Sequence, residues 1–489
     1  MRCEVGERLK IGEDFCTIRF VGYIKEWSDE VVYGVEWDNP ARGKHNGTVK
    51  GKQYFKSHKS GAASFIKESK VSKECCTRKS FYEVCYDICA NSDIQLDDMY
   101  FGEKRVETYG FEPLTTRFIQ NSNLNSLSLC NLEIYTAGSV KGWNGLGKLN
   151  RQLLQLDISS NLFSDFQDIL NIISTMPKLQ ALDLSFNKFH GVTWKDGQSF
   201  KSISELRMSF CDISIDDIKN AFMLFPNLKK IALSGNEMES FDITLPPSLL
   251  EIDLGENLLC DIPETLARSN VETVYLSKNR IKHITEAKFD SVKTLDLSQN
   301  LLADWSCVKQ ISAYYPSLSD LRINDNPFTR NESGDSSFLL ILAQLNEIDI
   351  LNGTILPKGT REEAEKYLIS QVNNGTFDYD TNSSNWLALL DKYDMRKNNS
   401  VQTEFASSIE ILQLSIVFQQ QTIGEVSVLS SYSIRFLKSI ISRRLKTSIF
   451  KIRLAHFLSP GVIQEFGREF SPISDFSVRS GDKIMVEKV

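Results

Sequence analysis

A nine-residue apolar template recurs through the middle of this 489-residue chain and leaves it few ways to fold. The template reads L-x-x-L-x-L-x-x-N. It occupies Leu153–Asn161, Leu179–Asn187, Leu228–Asn236, Leu249–Asn257, Val271–Asn279, Val292–Asn300 and Leu318–Asn326, and weaker copies start at Leu124, Ile203 and Leu345. Successive copies begin 21 to 29 residues apart. A repeat of that length cannot bury its own apolar side, so neighbouring copies must stack and share one core. Each asparagine falls where the chain leaves a short strand, where its amide can satisfy backbone groups in the bend. The residue between the last two apolar positions points away from the core. That outward row reads Asp157, Asp183, Arg207, Ala232, Asp253, Tyr275, Asp296, Arg322 and Asp349. It is expected to form a polar docking surface on the inner face of the coil.

The spacing is that of leucine-rich repeats, so an α/β solenoid is expected over residues 121–370. A solenoid needs closed ends. Residues 76–120 are read as a connecting and capping segment, and Gly359–Leu368 as the helix that closes the far end. Residues 371–408 are rich in Asn, Ser, Thr and Asp and read as a linker, with one short helix at Trp386–Leu390.

Both ends of the chain have a different character. In residues 1–75, segments such as Phe15–Val21 and Val31–Trp37 are rich in β-branched and aromatic residues and are punctuated by glycines, which suits a small twisted barrel. Residues 409–489 give strands at Ile409–Phe418, Ile423–Leu429, Phe450–Leu454 and Lys483–Lys488, with an amphipathic helix at Ser433–Leu445. That order is similar to a ubiquitin-like β-grasp (α+β). The chain ends Glu487-Lys488-Val489, without a Gly-Gly pair, so an interaction surface rather than a conjugated tag is expected.

Near the amino terminus stands Gly43-Lys-His-Asn-Gly47. It follows Gly34-Val-Glu-Trp-Asp-Asn-Pro40 and precedes Tyr54-Phe55 and Ser64-Phe-Ile-Lys67. These residues resemble the CAP-Gly module, a small SH3-like β-barrel. The resemblance implies binding of acidic peptides that end in a free carboxylate, as on the α-tubulin tail. Eight lysines and one acid, Glu68, lie between positions 43 and 73, and such a patch draws an acidic tail. On this reading Lys44 holds a carboxylate and Phe55 and Phe65 line a slot for a terminal ring. Gly43 and Gly47 let the backbone approach, while His45, Asn46, Tyr33 and Trp27 complete the site. The chain has His45-Asn46 where the family has Asn-Asp, and Val32 where it usually has tryptophan.

Charge narrows the function further. Residues 1–75 carry a net +3 and residues 409–489 a net +4, leaving −14 on residues 76–408. An acidic middle domain argues against a nucleic-acid partner. No run of about 18 apolar residues exists, so no membrane span is expected. The start has no apolar signal region, and the ten scattered cysteines are expected to be reduced thiols. The five histidines, at 45, 58, 190, 283 and 456, form no catalytic or metal-binding spacing. Gly142–Leu149 imitates a phosphate-binding loop but ends in leucine where magnesium needs a hydroxyl. Neither an enzyme nor a bound cofactor is expected.

The order of the three modules resembles the tubulin-folding cofactor E family across nearly the whole chain. That resemblance implies a cytoplasmic, cytoskeleton-associated chaperone that binds α-tubulin. It further implies work with other tubulin cofactors, including the one carrying β-tubulin, to assemble or dismantle the αβ dimer, with GTP belonging to tubulin. The alternatives are a microtubule-binding scaffold and a ubiquitin-pathway adaptor.

Overall fold

Alternation of apolar and polar residues in four antiparallel strands builds the amino-terminal barrel, in the order β1 (Arg8–Ile11), β2 (Asp14–Gly22), β3 (Val32–Trp37) and β6 (Ala63–Lys67). A small hairpin, β4 (Thr48–Val49) and β5 (Lys52–Gln53), lies between β3 and β6. Leu9, Ile11, Cys16, Ile18, Tyr33, Val35, Trp37 and Ile66 form the barrel core. In β2 the register shifts between Ile18, opposite Val35, and Phe20, opposite Gly34. One extra residue at that bulge reverses the alternation, so Phe20 leaves the core side that Cys16 and Ile18 occupy. The computed structural model describes residues 3–24, 30–74, 78–90, 100–101, 104–105, 125–138, 151–195, 197–357, 359–393, 411–419, 421–459, 462–466, 469–476 and 478–488.

The repeats form a leucine-rich-repeat solenoid. Eleven short strands make one sheet, parallel throughout except for its last member, Thr354–Ile355. The central leucine or its substitute in each strand is buried, as at Leu156, Leu182, Leu206, Ile231 and Ile252. The ladder asparagines are buried too. Asn257 donates to the carbonyls of Leu233, Leu254 and Gly255 at 3.0–3.1 Å, and accepts from the backbone N–H of Asn236 and Met238 at 3.0 and 3.1 Å. Each such amide ties its own bend to the preceding coil, which a buried backbone requires. In the coil starting at Ile203, Cys211 takes this place, and its thiol donates to the Leu184 carbonyl at 3.4 Å. Burial pushes that thiol up to about 12. Cys3, Cys130, Cys211, Cys260 and Cys307 are free thiols.

Coil length decides what lies opposite the sheet. The coils starting at Leu153, Ile203, Val292 and Leu318 hold the helices Phe166–Ile173, Ile215–Leu224, Ser306–Tyr314 and Gly334–Gln344. Asp165, Ser214 and Ser333 cap three of these at the amino end. The shorter coils over residues 228–291 have extended chain and one 3-10 turn, Glu264–Arg268. The helix Phe81–Ala90 caps the first coils by placing Phe81, Val84 and Cys85 in the solenoid core. The helix Thr360–Asn373 covers the other end, and its Arg361 donates to the carbonyls of Leu342, Leu345 and Asn346 at the end of Gly334–Gln344.

Residues 1–378 form one compact unit and residues 379–489 another. In the second, the helix Ser384–Lys392 covers the expected short helix. A five-stranded sheet then follows, in which Ile411–Phe418 pairs antiparallel with Gln421–Leu429 and parallel with Lys483–Lys488. The helix Ile434–Arg444 packs Ile434, Leu437 and Ile441 on this sheet, giving the β-grasp arrangement. No helix among the described residues is long and apolar enough to cross a membrane.

Candidate functional site

The barrel carries an aromatic cluster on the side of β3 opposite its core. Phe65 is at its centre, with ring centroids of His45, Phe55, Tyr54 and Phe20 at 4.9, 5.4, 5.7 and 6.2 Å. Gly34 is the floor. A Cβ there would lie 2.4 Å from Phe55 Cε1 and 2.9 Å from Phe20 Cβ, so only glycine lets these rings close over the strand. The same demand explains the glycines of the Gly43–Gly47 motif. A Cβ on Gly43 would lie 1.9 Å from the Gly61 carbonyl oxygen, and Gly47 has φ +88° with its Cβ position 2.1 Å from the Phe55 carbonyl oxygen.

Backbone bonds pin the motif to β6. Lys44 N–H donates to the Ala63 carbonyl at 2.8 Å, and Ala63 N–H donates to the His45 carbonyl at 2.9 Å. Asn46 Oδ1 accepts from Gly61 N–H, so Asn46 shapes the loop. His45 Nδ1 accepts from Gly47 N–H at 3.0 Å, which leaves Nε2 to carry the proton of the neutral ring. Burial, and then the charge of Lys44, hold this imidazole below its ordinary value.

A lysine rim surrounds the rings. Lys44, Lys50, Lys52, Lys56 and Lys67 are exposed, and Lys52 Nζ lies 5.0 Å from the Tyr54 ring centroid. No ion pair joins Lys44 to another described residue. Exposed ammonium groups around half-buried rings suit a ligand that ends in a carboxylate next to an apolar or aromatic side chain.

Of the residues expected here, Lys44, His45, Asn46, Gly43, Gly47, Phe55 and Phe65 come together. Tyr33 does not. It is fully buried in the barrel core, accepts from Cys3 N–H and donates to Glu68 Oε1, both at 3.4 Å. Strand alternation sends it to the face opposite Gly34. Trp27 lies outside the described residues, as does the Gly142–Leu149 loop. Phe20 and Tyr54 belong to the cluster and were not anticipated. Tyr54 was visible in the Tyr-Phe pair, whereas only the β2 bulge brings Phe20 across.

The second candidate surface is the outward row of the solenoid sheet. Asp157, Asp183, Arg207, Ala232, Asp253, Tyr275, Asp296 and Arg322 stand in register on consecutive strands. Asp349 does not join them. The last parallel strand is Ile350–Leu351, with Leu351 opposite Leu321, so Asn352 rather than Asp349 follows Arg322. Leu345, taken as the first template leucine, ends the helix Gly334–Gln344 and shifts the true register by three. Four of the aspartates also have an internal task. Oδ1 of Asp157, Asp183, Asp253 and Asp296 accepts from the backbone N–H two residues on, at 3.0, 2.9, 2.8 and 2.9 Å. Asp296 is buried by this, while Arg207 and Arg322 are exposed.

The barrel and solenoid meet within the first unit. Lys59 pairs with Glu237 at 2.9 Å, Lys10 with Glu133 at 3.5 Å, and the His190 ring packs on Gly6. Lys59, Glu237 and His190 also line a polar cavity of about 420 Å³, together with Arg19, His58, Lys188 and Asp212 among others.

Residues 5–71 match the CAP-Gly domain family. The chain is 32% identical to Protein PAC2 of Saccharomyces cerevisiae, over 99% of this chain and 97% of that protein. It is 26% identical to Tubulin-specific chaperone E of Mus musculus, over 99% of this chain and 98% of that one. The solution structure of the C-terminal ubiquitin-like domain of mouse tubulin-specific chaperone e is 26% identical and covers 18% of this chain and 95% of its own, with a TM-score of 0.16.

Proposed function

The chain belongs to the tubulin-specific chaperone E family, and on that footing we propose that it is a tubulin-folding cofactor with two grips on one client. The barrel holds the acidic carboxy-terminal tail of α-tubulin, and the inner face of the solenoid holds the tubulin body. Together with other tubulin cofactors, including the one that carries β-tubulin, the protein assembles or dissociates the αβ dimer in the cytoplasm, associated with the cytoskeleton.

The observation that carries this reading is the lysine-rimmed cluster around Phe65, with Lys44 exposed beside it. In the complex, Lys44 Nζ donates to the terminal carboxylate or to a glutamate of the tail. His45 Nε2–H supplies a neutral donor, and the terminal ring packs on Phe65 and Tyr54. Each grip is weak by itself. Joined in one compact unit, they raise the local concentration of the client at the second site once the first is filled. The mechanism asks nothing of a nucleotide bound to this chain.

The test is capture of soluble tubulin. The full chain is expected to bind α-tubulin or to lower the concentration of soluble dimer. Pelleting with preformed microtubules and no effect on soluble dimer would instead support a scaffold and overturn the cofactor reading.

A further inference from the structure

Eight consecutive coils of the solenoid place a residue at positive φ immediately before the ladder position. Ser160, Phe186, Phe210, Gly235, Glu256, Lys278, Gln299 and Asp325 hold it, with φ between 52° and 68°. Asparagine and glycine tolerate this conformation best, and a bulky side chain is out of place there. Phenylalanine nonetheless occurs on two consecutive coils. The rings of Phe186 and Phe210 lie flat on each other, 4.8 Å between centroids with planes 5° apart. Gly235, on the next coil, makes room beneath them, since a Cβ there would lie 2.3 Å from Phe210 Cε1. Phe186 is the outermost ring and is 49% exposed.

Local packing does not account for this step, because half of the outer ring faces water at a repeat position whose φ disfavours a bulky side chain. Its surroundings are those of an interface centre. On the strand side stand Asp183 and Arg207, 3.7 Å apart, and on the loop side Lys188 and Asp212, 2.6 Å apart. An apolar aromatic pair ringed by self-neutralising charges fits a folded protein surface better than a lipid or a nucleic acid. These two coils and the next carry Lys188, His190, Asp212 and Glu237, which line the cavity shared with the barrel. A client tethered on the barrel is therefore delivered to this rim.

We propose that the Phe186–Phe210 step is the apolar anchor for the folded body of tubulin. This rests on the tubulin-binding reading above, and it adds a contact independent of the tail. The test uses the full chain and the variant Phe186→Asn. Asparagine suits the positive φ, so thermal stability is expected to stay level or rise. Binding of tubulin whose acidic tail has been removed by limited proteolysis is expected to weaken about tenfold or more. Binding of an isolated acidic tail peptide should not change, and Phe186→Tyr should restore capture. Equal capture of tail-less tubulin by Phe186→Asn, or a marked fall in its thermal stability, would overturn the anchor alone. Failure of the unaltered chain to bind intact tubulin would overturn the tubulin-binding reading, and the anchor with it.

Discussion

Lys59 Nζ lies 2.9 Å from Glu237 Oε1, joining the barrel to the coil that starts at Leu228. Burial works against the charge on Lys59, but the bond to Glu237 and its carboxylate charge outweigh it and raise the ammonium pKa. Both side chains are partly exposed, so the pair is worth at most about 1 kcal/mol. Lys59→Glu should loosen the joint without unfolding either part, and Lys59→Glu with Glu237→Lys should restore it. Hydrogen exchange around residues 186–192 reads this directly. Exchange unaffected by the single reversal would mean that the pair does not hold the joint.

The ladder asparagines should dominate solenoid stability. Asn257→Ala removes five hydrogen bonds and strands buried backbone groups, at a cost of about 3 kcal/mol or more. Cys211→Ala, at the coil where a thiol stands in, should cost about 1 kcal/mol. Urea midpoints of the far-ultraviolet circular dichroism transition compare the two.

Gly34→Ala tests how the aromatic cluster is built. The added methyl collides with Phe55 and Phe20, and overpacking of this kind costs about 1–3 kcal/mol. The barrel should lose stability, and tail-peptide binding should fall with it while the solenoid transition stays in place. A variant of unchanged stability and binding would show that the rings do not need that floor.

His45 should make the barrel sensitive to acid. Its folded-state pKa is below that of the unfolded chain, about 6.5. Between the two values the unfolded chain binds the extra proton, so stability rises with pH in that window and is lost as the pH falls through it. From about pH 7.5 to pH 5.5, the unaltered protein should lose more stability than His45→Asn. Equal losses, measured by chemical denaturation at each pH, would rule out this role for His45.

The repeat was readable because each leucine and asparagine has one task in every coil. Its last copy was misread because Leu345 is apolar for a different reason, as the end of a helix. Four of the five expected aspartates stand in the outward row, Asp296 buried among them, and Asp349 does not. The row's internal bonds, from the N–H two residues on as in Asp157-Ile-Ser159 and Asp253-Leu-Gly255, were not part of the sequence reading and emerge from the fold. In the barrel, the glycine frame and Lys44 were legible, but the faces of β3 were not. Tyr33 and Gly34 are neighbours in sequence and point opposite ways, and the bulge that moves Phe20 depends on pairing between strands. The joint through Lys59 and Glu237 spans far too much sequence for any local pattern to carry it.

The central claim is that Lys44 and the rings around Phe65 capture an acidic peptide by its free end. The most direct measurement is the affinity of the full chain for a fluorescent peptide ending in Glu-Glu-Tyr. The free-acid peptide should bind the unaltered chain, while Lys44→Glu should weaken it at least about tenfold, as expected for loss of a charge-assisted bond of about 1.5–3 kcal/mol. Amidating the terminal carboxylate should weaken binding similarly. Equal affinity across the unaltered chain, the variant and the amidated peptide would contradict the account.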